Sequence, residues 1–365
     1  MKKNAMREKR VSRAVEILER QGLHACIIKG MDNIFYLTGF RGSEGTALVT
    51  RGDVVLMVDG RYITYAREAA EGCVVLETKG KDGTLDSLFR RYGVARTGFD
   101  SYHTSFETYR SWRDGSPSVE FVPLSNDIES LRQCKEPEEI LAIQKAIRIS
   151  TDAFTAVFDK IAPGRTEKEI ASDLECAMRR LGAESASFET IVASGPRAAL
   201  PHGQPTDKVL EAGEVVIIDF GCRVDGYCSD ETCTVSLGQT TAQLQEIHDV
   251  VRNAQRKGID AVKSGLPVRE LDMIVRGFIE EKGYVEFFGH GTGHGVGIAV
   301  HEPPVVTNKG EGLLEEHMIV TVEPGIYLPH VGGVRLEDMV LVKENGGEVL
   351  TRLRKDLLEI QGGLQ

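Results

Sequence analysis

The segment that most restricts how this chain can fold is VVIIDFGCRVDGYCSDETCTVSL, residues 215–237. Apolar and β-branched residues run up to Asp225-Gly226, the strongest turn signal in the segment, and resume beyond it, so it reads as a β-hairpin bound for an interior. A two-residue turn at that dipeptide sets Gly221 opposite Asp230. Asp219, two residues from Gly221, then points to the same face as Asp230, because strand side chains alternate with period two. Bare carboxylates are costly to bury and repel one another. Three arrangements are open for this pair taken alone: solvated acids on a surface hairpin, an Arg or Lys partner, or a metal ion.

The remainder of the chain shifts that balance. Phe287-Phe-Gly-His-Gly-Thr-Gly-His-Gly-Val-Gly-Ile298 places His290 and His294 in a stretch too rich in glycine for a stable helix, where the backbone can approach a neighbour closely. His301-Glu-Pro-Pro304 reads as a polar tip fixed by its prolines. Ile319-Val-Thr-Val-Glu-Pro-Gly-Ile-Tyr327 is an apolar strand that delivers Glu323 at its end, and residues 333–342 deliver Glu337 with Arg335 on the same face. The parity of Glu323 against Glu337 stays open, since the linker can hide a bulge. Four carboxylates and one histidine on or beside strands that ask to be buried form an oxygen-rich donor set with a single nitrogen. Such a set suits two harder divalent ions, Mn²⁺ above all with Co²⁺ or Zn²⁺ as alternatives, which would neutralise the acids and acidify a bound water.

Length allows two domains, the chain having 365 residues. Residues 11–21 carry a helical pattern ending at Gly22; Ala25–Ile28, 47–50 and Val54–Val58 read as short strands, so the first part is an α/β domain. A polar stretch follows, then a long amphipathic helix from Glu136, and the boundary is set between 127 and 128. In the second part, Gly164, Glu169, Ile170 and Gly182 match Gly265, Glu270, Leu271 and Gly283 at one constant offset. Each set reads as a capped helix stopped by glycine, which points to a duplicated, pseudo-symmetric architecture.

A formal charge of −11 argues against nucleic acid or an anionic membrane surface as partner. No apolar run approaches the ~20 residues of a membrane span, and the basic first ten residues lead into no signal-like apolar stretch. The seven cysteines are scattered and never spaced as Cys-x-x-Cys, which fits free thiols and a cytoplasmic location.

Taken together, Ile218-Asp-Phe-Gly221, Ser229-Asp-Glu-Thr232, Gly293-His-Gly-Val-Gly297, His301-Glu-Pro-Pro304, Val322-Glu-Pro-Gly325 and Gly333-Val-Arg-Leu-Glu337 resemble, in order and spacing, the dinuclear metallopeptidases of the pita-bread fold. That family includes Xaa-Pro aminopeptidases (aminopeptidase P), Xaa-Pro dipeptidases (prolidases) and methionine aminopeptidases, with creatinase as a metal-free relative. The resemblance implies an α+β protein: an N-terminal α/β creatinase-like domain, residues 1–127, followed by a C-terminal pseudo-symmetric pita-bread metallopeptidase domain, residues 128–365. It implies Asp219, Asp230, His294, Glu323 and Glu337 as metal ligands, His202 and His301 as histidines facing the substrate and supporting the oxyanion, His290 as a further pocket histidine, and Arg335 as a brace of the network. Glu323 is the expected proton shuttle. Cys233 departs from the pattern, in which Arg commonly follows the Asp-x-Thr.

Asn33-Ile-Phe-Tyr-Leu-Thr-Gly-Phe40 and Asp59-Gly-Arg-Tyr62 are similar to the N-terminal domain of the proline-specific members. The implied activity is hydrolysis of the bond between an N-terminal residue and a following proline in proline-containing peptides, by a homodimer. Between Glu302 and Val334 there is no arginine to capture a dipeptide's carboxylate. The aminopeptidase is therefore the main expectation and the dipeptidase the alternative. A non-catalytic binding module is a remote alternative and a metal-free amidinohydrolase another; neither is expected to keep all of the acids.

Overall fold

In the computed structural model, which describes residues 2–78 and 83–360, each short apolar run read near the N-terminus forms a strand. Ala25–Ile28, Thr46–Thr50 and Val54–Val58 lie side by side in a six-stranded sheet, flanked by Val74–Glu77 at one edge and by Arg96–Asp100 and Glu120–Leu124 at the other. Helix Lys2–Gln21 contains the pattern read at 11–21, and Gly22, at φ 64°, ends it in a conformation that costs glycine little. The compact units are Met1–Arg132 and Gln133–Gln365. The sequence reading divided the chain at 127, and the short helix Asp127–Ser130 falls on the N-terminal side of the observed division.

In the second unit, helix Pro137–Val157 begins at Glu136, where Glu136 and Glu139 form a capping box and Pro137 occupies the first turn. The duplication read from the sequence has a physical counterpart. Helices Glu167–Arg180 and Val268–Glu281 are both 14 residues long. The glycines before them, Gly164 and Gly265, have φ 92° and 84°, and those after them, Gly182 and Gly283, 108° and 80°. Gly164 N–H donates to Leu210 O at 2.9 Å and Gly265 N–H to Leu314 O at 2.8 Å, the same contact made twice.

Each half packs two helices on its own sheet. In the first, Phe154 stacks on Phe220, ring centroids 5.3 Å apart, over Leu174 and Val235. In the second, Val251, Leu271 and Val275 pack on Val322 and Val340. The sheets run Leu358–Ile360, Glu231–Leu237, Val215–Phe220, Ile191–Ser194 in one half, and Glu302–Val306, Gly293–Gly295, Ile319–Val322, Asp338–Lys343, Gly346–Val349 in the other.

Both halves contain a hairpin that changes sheets midway. Asp219 pairs with Thr232 and Phe220 with Glu231 in the larger sheet; beyond the break, Arg223 pairs with Cys228 and Val224 with Tyr227. The register is unbroken and turns at Asp225 and Gly226, φ 52° and 87°, so Gly221 and Asp230 face each other at the break. The second hairpin repeats this: Val322 pairs with Asp338 and, past the break, Gly325 with Arg335. Glu323 therefore stands opposite Glu337, which resolves their parity. Asp219 and Glu323 hold corresponding places, each two residues before a glycine.

Pro303 and Pro304 lie within a strand, Glu302–Val306, rather than at a loop tip. That strand is at the sheet edge, where a missing N–H is tolerated. A side chain at Gly221 would strike the Ser229 carbonyl oxygen, whereas one at Gly277, inside a helix, would meet nothing within 4 Å. Gly221→Ala is expected to cost about 3 kcal/mol of unfolding free energy by overpacking, and Gly277→Ala to add up to about 1 kcal/mol; urea denaturation followed by circular dichroism measures both.

Candidate metal centre

The sheet changes leave four acids where strands part. Asp219 comes from the end of Val215–Phe220, and Asp230 from the residue before Glu231–Leu237. Glu323 follows Ile319–Val322, and Glu337 precedes Asp338–Lys343. His294 is carried by Gly293–Gly295, which runs between Glu302–Val306 and Ile319–Val322. A side chain at Gly293 would collide with Thr321 backbone, so glycine is what lets this strand come close enough to present His294.

These side chains line one cavity of about 490 Å³, together with His202, His290, His301 and Arg335. Asp230, His294 and Glu337 each offer a donor atom within 4.8 Å of the other two. His294 Nε2 is 3.2 Å from Glu323 Oε1 and 3.7 Å from Asp230 Oδ2. Its Nδ1 donates to Gly295 O at 3.1 Å, which turns Nε2 to the acids. Thr232 Oγ1 donates to Glu337 Oε2 at 2.6 Å, and Thr321 Oγ1 to Glu323 Oε1 at 3.2 Å.

One of the three arrangements left open by the sequence holds for Asp219: Arg335 Nη2 donates to its Oδ2 at 2.7 Å. The same guanidinium reaches Pro201 O at 2.8 Å and Tyr327 Oη at 3.0 Å, so Arg335 spans the two halves. Asp219 Oδ1 is buried with no partner among the described residues. Asp230 and Glu337 are 4% and 2% exposed, and the charge of Arg335 offsets the burial of Glu337 only in part. A solvated surface hairpin is excluded.

The electrostatics follow from this enclosure. Burial, reinforced by neighbouring acids, pushes Asp230 and Glu337 well above the usual carboxylate range, and burial raises Asp219 in spite of Arg335. Glu323 alone is lowered, to about 2: burial works against it, but the hydrogen bond and charge of His294 prevail. His294 is raised correspondingly, Glu323 outweighing burial. The donor set of four carboxylates and one imidazole, with a buried unpartnered oxygen aimed into it, fits hard divalent cations.

The histidines divide by how their nitrogens are used. His290 Nδ1 donates to Gly291 O and its Nε2 accepts from Tyr327 Oη, both at 2.8 Å, so the ring is saturated and forms cavity wall. His301 stacks edgewise on His294, centroids 4.3 Å apart, and burial lowers its pKa. His301 and His202 line the cavity without a hydrogen-bond partner among the described residues. Sequence reasoning missed Tyr327, the relay between Arg335 and His290, and the two threonines that hold Glu337 and Glu323. Thr321 stands two residues before Glu323, hence on its face of the strand, and that alternation was a readable signal.

Comparison with known proteins gives the same organisation. Residues 142–344 match metallopeptidase family M24, and residues 10–134 match the creatinase/prolidase N-terminal domain. The chain is 35% identical over 352 residues to the Xaa-Pro dipeptidase of Pyrococcus furiosus, covering 96% of this chain and all of that one. Among solved structures, the Xaa-Pro dipeptidase from Bacillus anthracis superposes with a TM-score of 0.93 at 36% identity, covering 96% of this chain and 99% of that one. The X-Pro aminopeptidase from Thermotoga maritima does so at 0.89 and 36%, covering 95% and 99%. The α+β arrangement expected from the resemblance, a creatinase-like domain followed by a pita-bread domain, is the one observed. A buried acid-and-histidine cluster at the seam of a duplicated fold, together with a family match over most of the second unit, establishes that this chain belongs to metallopeptidase family M24.

Proposed function

We propose that the protein hydrolyses the peptide bond between an N-terminal residue and a following proline, with Xaa-Pro dipeptides as its substrates, and that Asp219, Asp230, His294, Glu323 and Glu337 hold two divalent ions, Mn²⁺ by preference. The observation that carries this reading is the convergence of those five side chains on one cavity that His202 and His301 also line. The ions, when bound, polarise the scissile carbonyl and acidify a water.

The chain's own residues supply the rest. Glu323, a carboxylate held by the Thr321 hydroxyl, takes a proton from the attacking water and passes it to the departing proline nitrogen. His301, neutral because burial lowers its pKa, and with its nitrogens free among the described residues, donates to the developing oxyanion. Arg335 pins Asp219 through one carboxylate oxygen and leaves the other to the cavity. A substrate's free amino group finds its countercharge among the acids, which favours action at a chain terminus over internal bonds.

The sequence reading favoured the aminopeptidase because residues 302–334 lack arginine. The names of the Pyrococcus and Bacillus relatives support the dipeptidase instead. With Arg335 the only guanidinium on the cavity wall among the described residues, and already bound to Asp219, recognition of the proline carboxylate falls to His202. That same lack of a free guanidinium favours the second reading, aminopeptidase action on longer peptides, as does the Thermotoga relative.

A Mn²⁺-supplemented assay should release amino acid and proline from an Xaa-Pro dipeptide and leave an Xaa-Pro-Yaa tripeptide uncut; release of the first residue from the tripeptide alone reverses the assignment. Chelation should abolish hydrolysis, Mn²⁺ should restore it, and Mn²⁺ at a hundredfold excess over its Kd should stabilise the fold by about 2.7 kcal/mol per bound ion in thermal unfolding. Glu323→Gln should lower kcat by about 10²- to 10⁴-fold, read by steady-state kinetics at saturating metal.

A further inference from the structure

We infer that Lys355 is a positioning residue for the metal centre, acting from the face of the strands opposite the ions; this rests on the proposed assignment of Asp230 and Glu337 as ligands. Each of those residues is followed in the chain by a second acid, Glu231 and Asp338. Alternation along a strand sends neighbours to opposite faces. Accordingly Asp230 and Glu337 line the cavity, while Glu231 and Asp338 do not.

The rear pair meets one ammonium group. Lys355 Nζ is 2.7 Å from Glu231 Oε1 and 3.3 Å from Asp338 Oδ1, and the lysine side chain is 10% exposed. The remaining oxygens are also engaged. Glu231 accepts from Leu353 N at 3.0 Å and Thr151 Oγ1 at 3.4 Å. Asp338 accepts from Thr351 Oγ1 at 2.5 Å and Gln255 Nε2 at 3.1 Å. Among the described residues no other cation pairs with Glu231, and position 233, across the strand from Ile218, is the uncharged and buried Cys233.

Glu231 belongs to a strand of the first half and Asp338 to a strand of the second. The halves already touch here, since Glu337 N–H donates to Thr232 O at 3.1 Å. Lys355 therefore fastens together the strands that supply one acid each to the cavity. Its own position is set by the strand Leu358–Ile360, which lies parallel to Glu231–Leu237 and brings the C-terminal segment behind the centre. Removing the ammonium leaves two buried acids in repulsion directly behind the ligands, which spreads the strands and with them Asp230 and Glu337.

The test is Co²⁺ binding by the full-length protein stripped of metal, followed by d–d absorption and by competition with a chromophoric chelator. Lys355→Met should weaken Co²⁺ binding by about ten- to a hundredfold and shift the absorption bands, and Lys355→Arg should restore both. A core substitution remote from the centre, Leu174→Ala, should lower stability in urea and leave Co²⁺ affinity at the wild-type value, separating positioning from general loosening. Should Lys355→Met not fold, Lys355→Gln removes the charge while keeping a hydrogen-bond donor at that position, and is read by the same titration with the same expectation. Wild-type affinity and spectrum in the Lys355 variant, or an equal loss in Leu174→Ala, overturns the inference. Asp230→Asn is the control for the underlying reading: if it too binds Co²⁺ as wild type does, the ligand assignment has failed, whereas loss in Asp230→Asn alone condemns only the role of Lys355.

Discussion

Repulsion among acids enclosed between two sheets is the constraint around which the second unit is arranged. Asp219, Asp230, Glu323 and Glu337 share a cavity with one guanidinium, that of Arg335, so three negative charges remain uncompensated when all four ionise. Burial and mutual repulsion accordingly raise three of the four carboxyls, and only Glu323, resting on His294, is lowered. One divalent cation leaves the site with a residual negative charge; two reverse its sign by a single unit. One ion and two leave the site equally far from neutral, so charge accounts for the need of divalent cations and not for their number.

The fold supplies these acids by repeating one device. A hairpin paired in a large sheet breaks, changes sheet and closes in a smaller one, and the acid sits at the break. A continuous ladder has no room for a bound ion between its strands, because neighbouring strands stand only about 4.8 Å apart. Parting strands create that space, at Gly221 opposite Asp230 in the first hairpin and at Glu323 and Pro324 opposite Glu337 and Leu336 in the second, before pairing resumes between Gly325 and Arg335. Two such hairpins face each other at the seam between the halves. The seam is bridged by Arg335 bonding to Asp219 and by Thr232 bonding to Glu337.

What the sequence disclosed and what it withheld follow one division. Local patterns were legible: Asp225-Gly226 set the register of the first hairpin, Gly22 stopped a helix, and the matched glycines 164, 182, 265 and 283 marked a duplication that their positive φ angles repeat. The donor residues were legible because an acid inside an apolar run is a conflict that asks for an explanation. The parity of Glu323 and Glu337 was not, since it depends on a tip at Pro329, His330 and Val331 whose geometry no dipeptide signal specifies. Pro303-Pro304 read as a tip and lies in a strand, because an edge position removes the penalty that proline pays inside a sheet. His290 was read as a pocket histidine, and both its nitrogens are bound within the chain, one by a tyrosine that only the folded chain brings near. Contacts such as Lys355 with Glu231 join residues more than a hundred positions apart and leave no local trace.

Those distant contacts explain a feature that the cavity alone leaves unaccounted for. At two places the chain writes acids consecutively, Asp230-Glu231 and Glu337-Asp338, in strands that are buried on both faces. Period-two alternation makes each strand an acid on both sides, and no single cation can serve both. The front is a cavity into which ions can enter from solvent; the rear is closed, so its countercharge has to be built in. A lysine suits that position better than a bound ion would, because it is present before any metal arrives and holds the rear acids together while the front ones are still repelling each other. On the proposed assignment of the front acids as ligands, their geometry would thereby be set before a metal enters, and binding would not have to supply the work of assembling them.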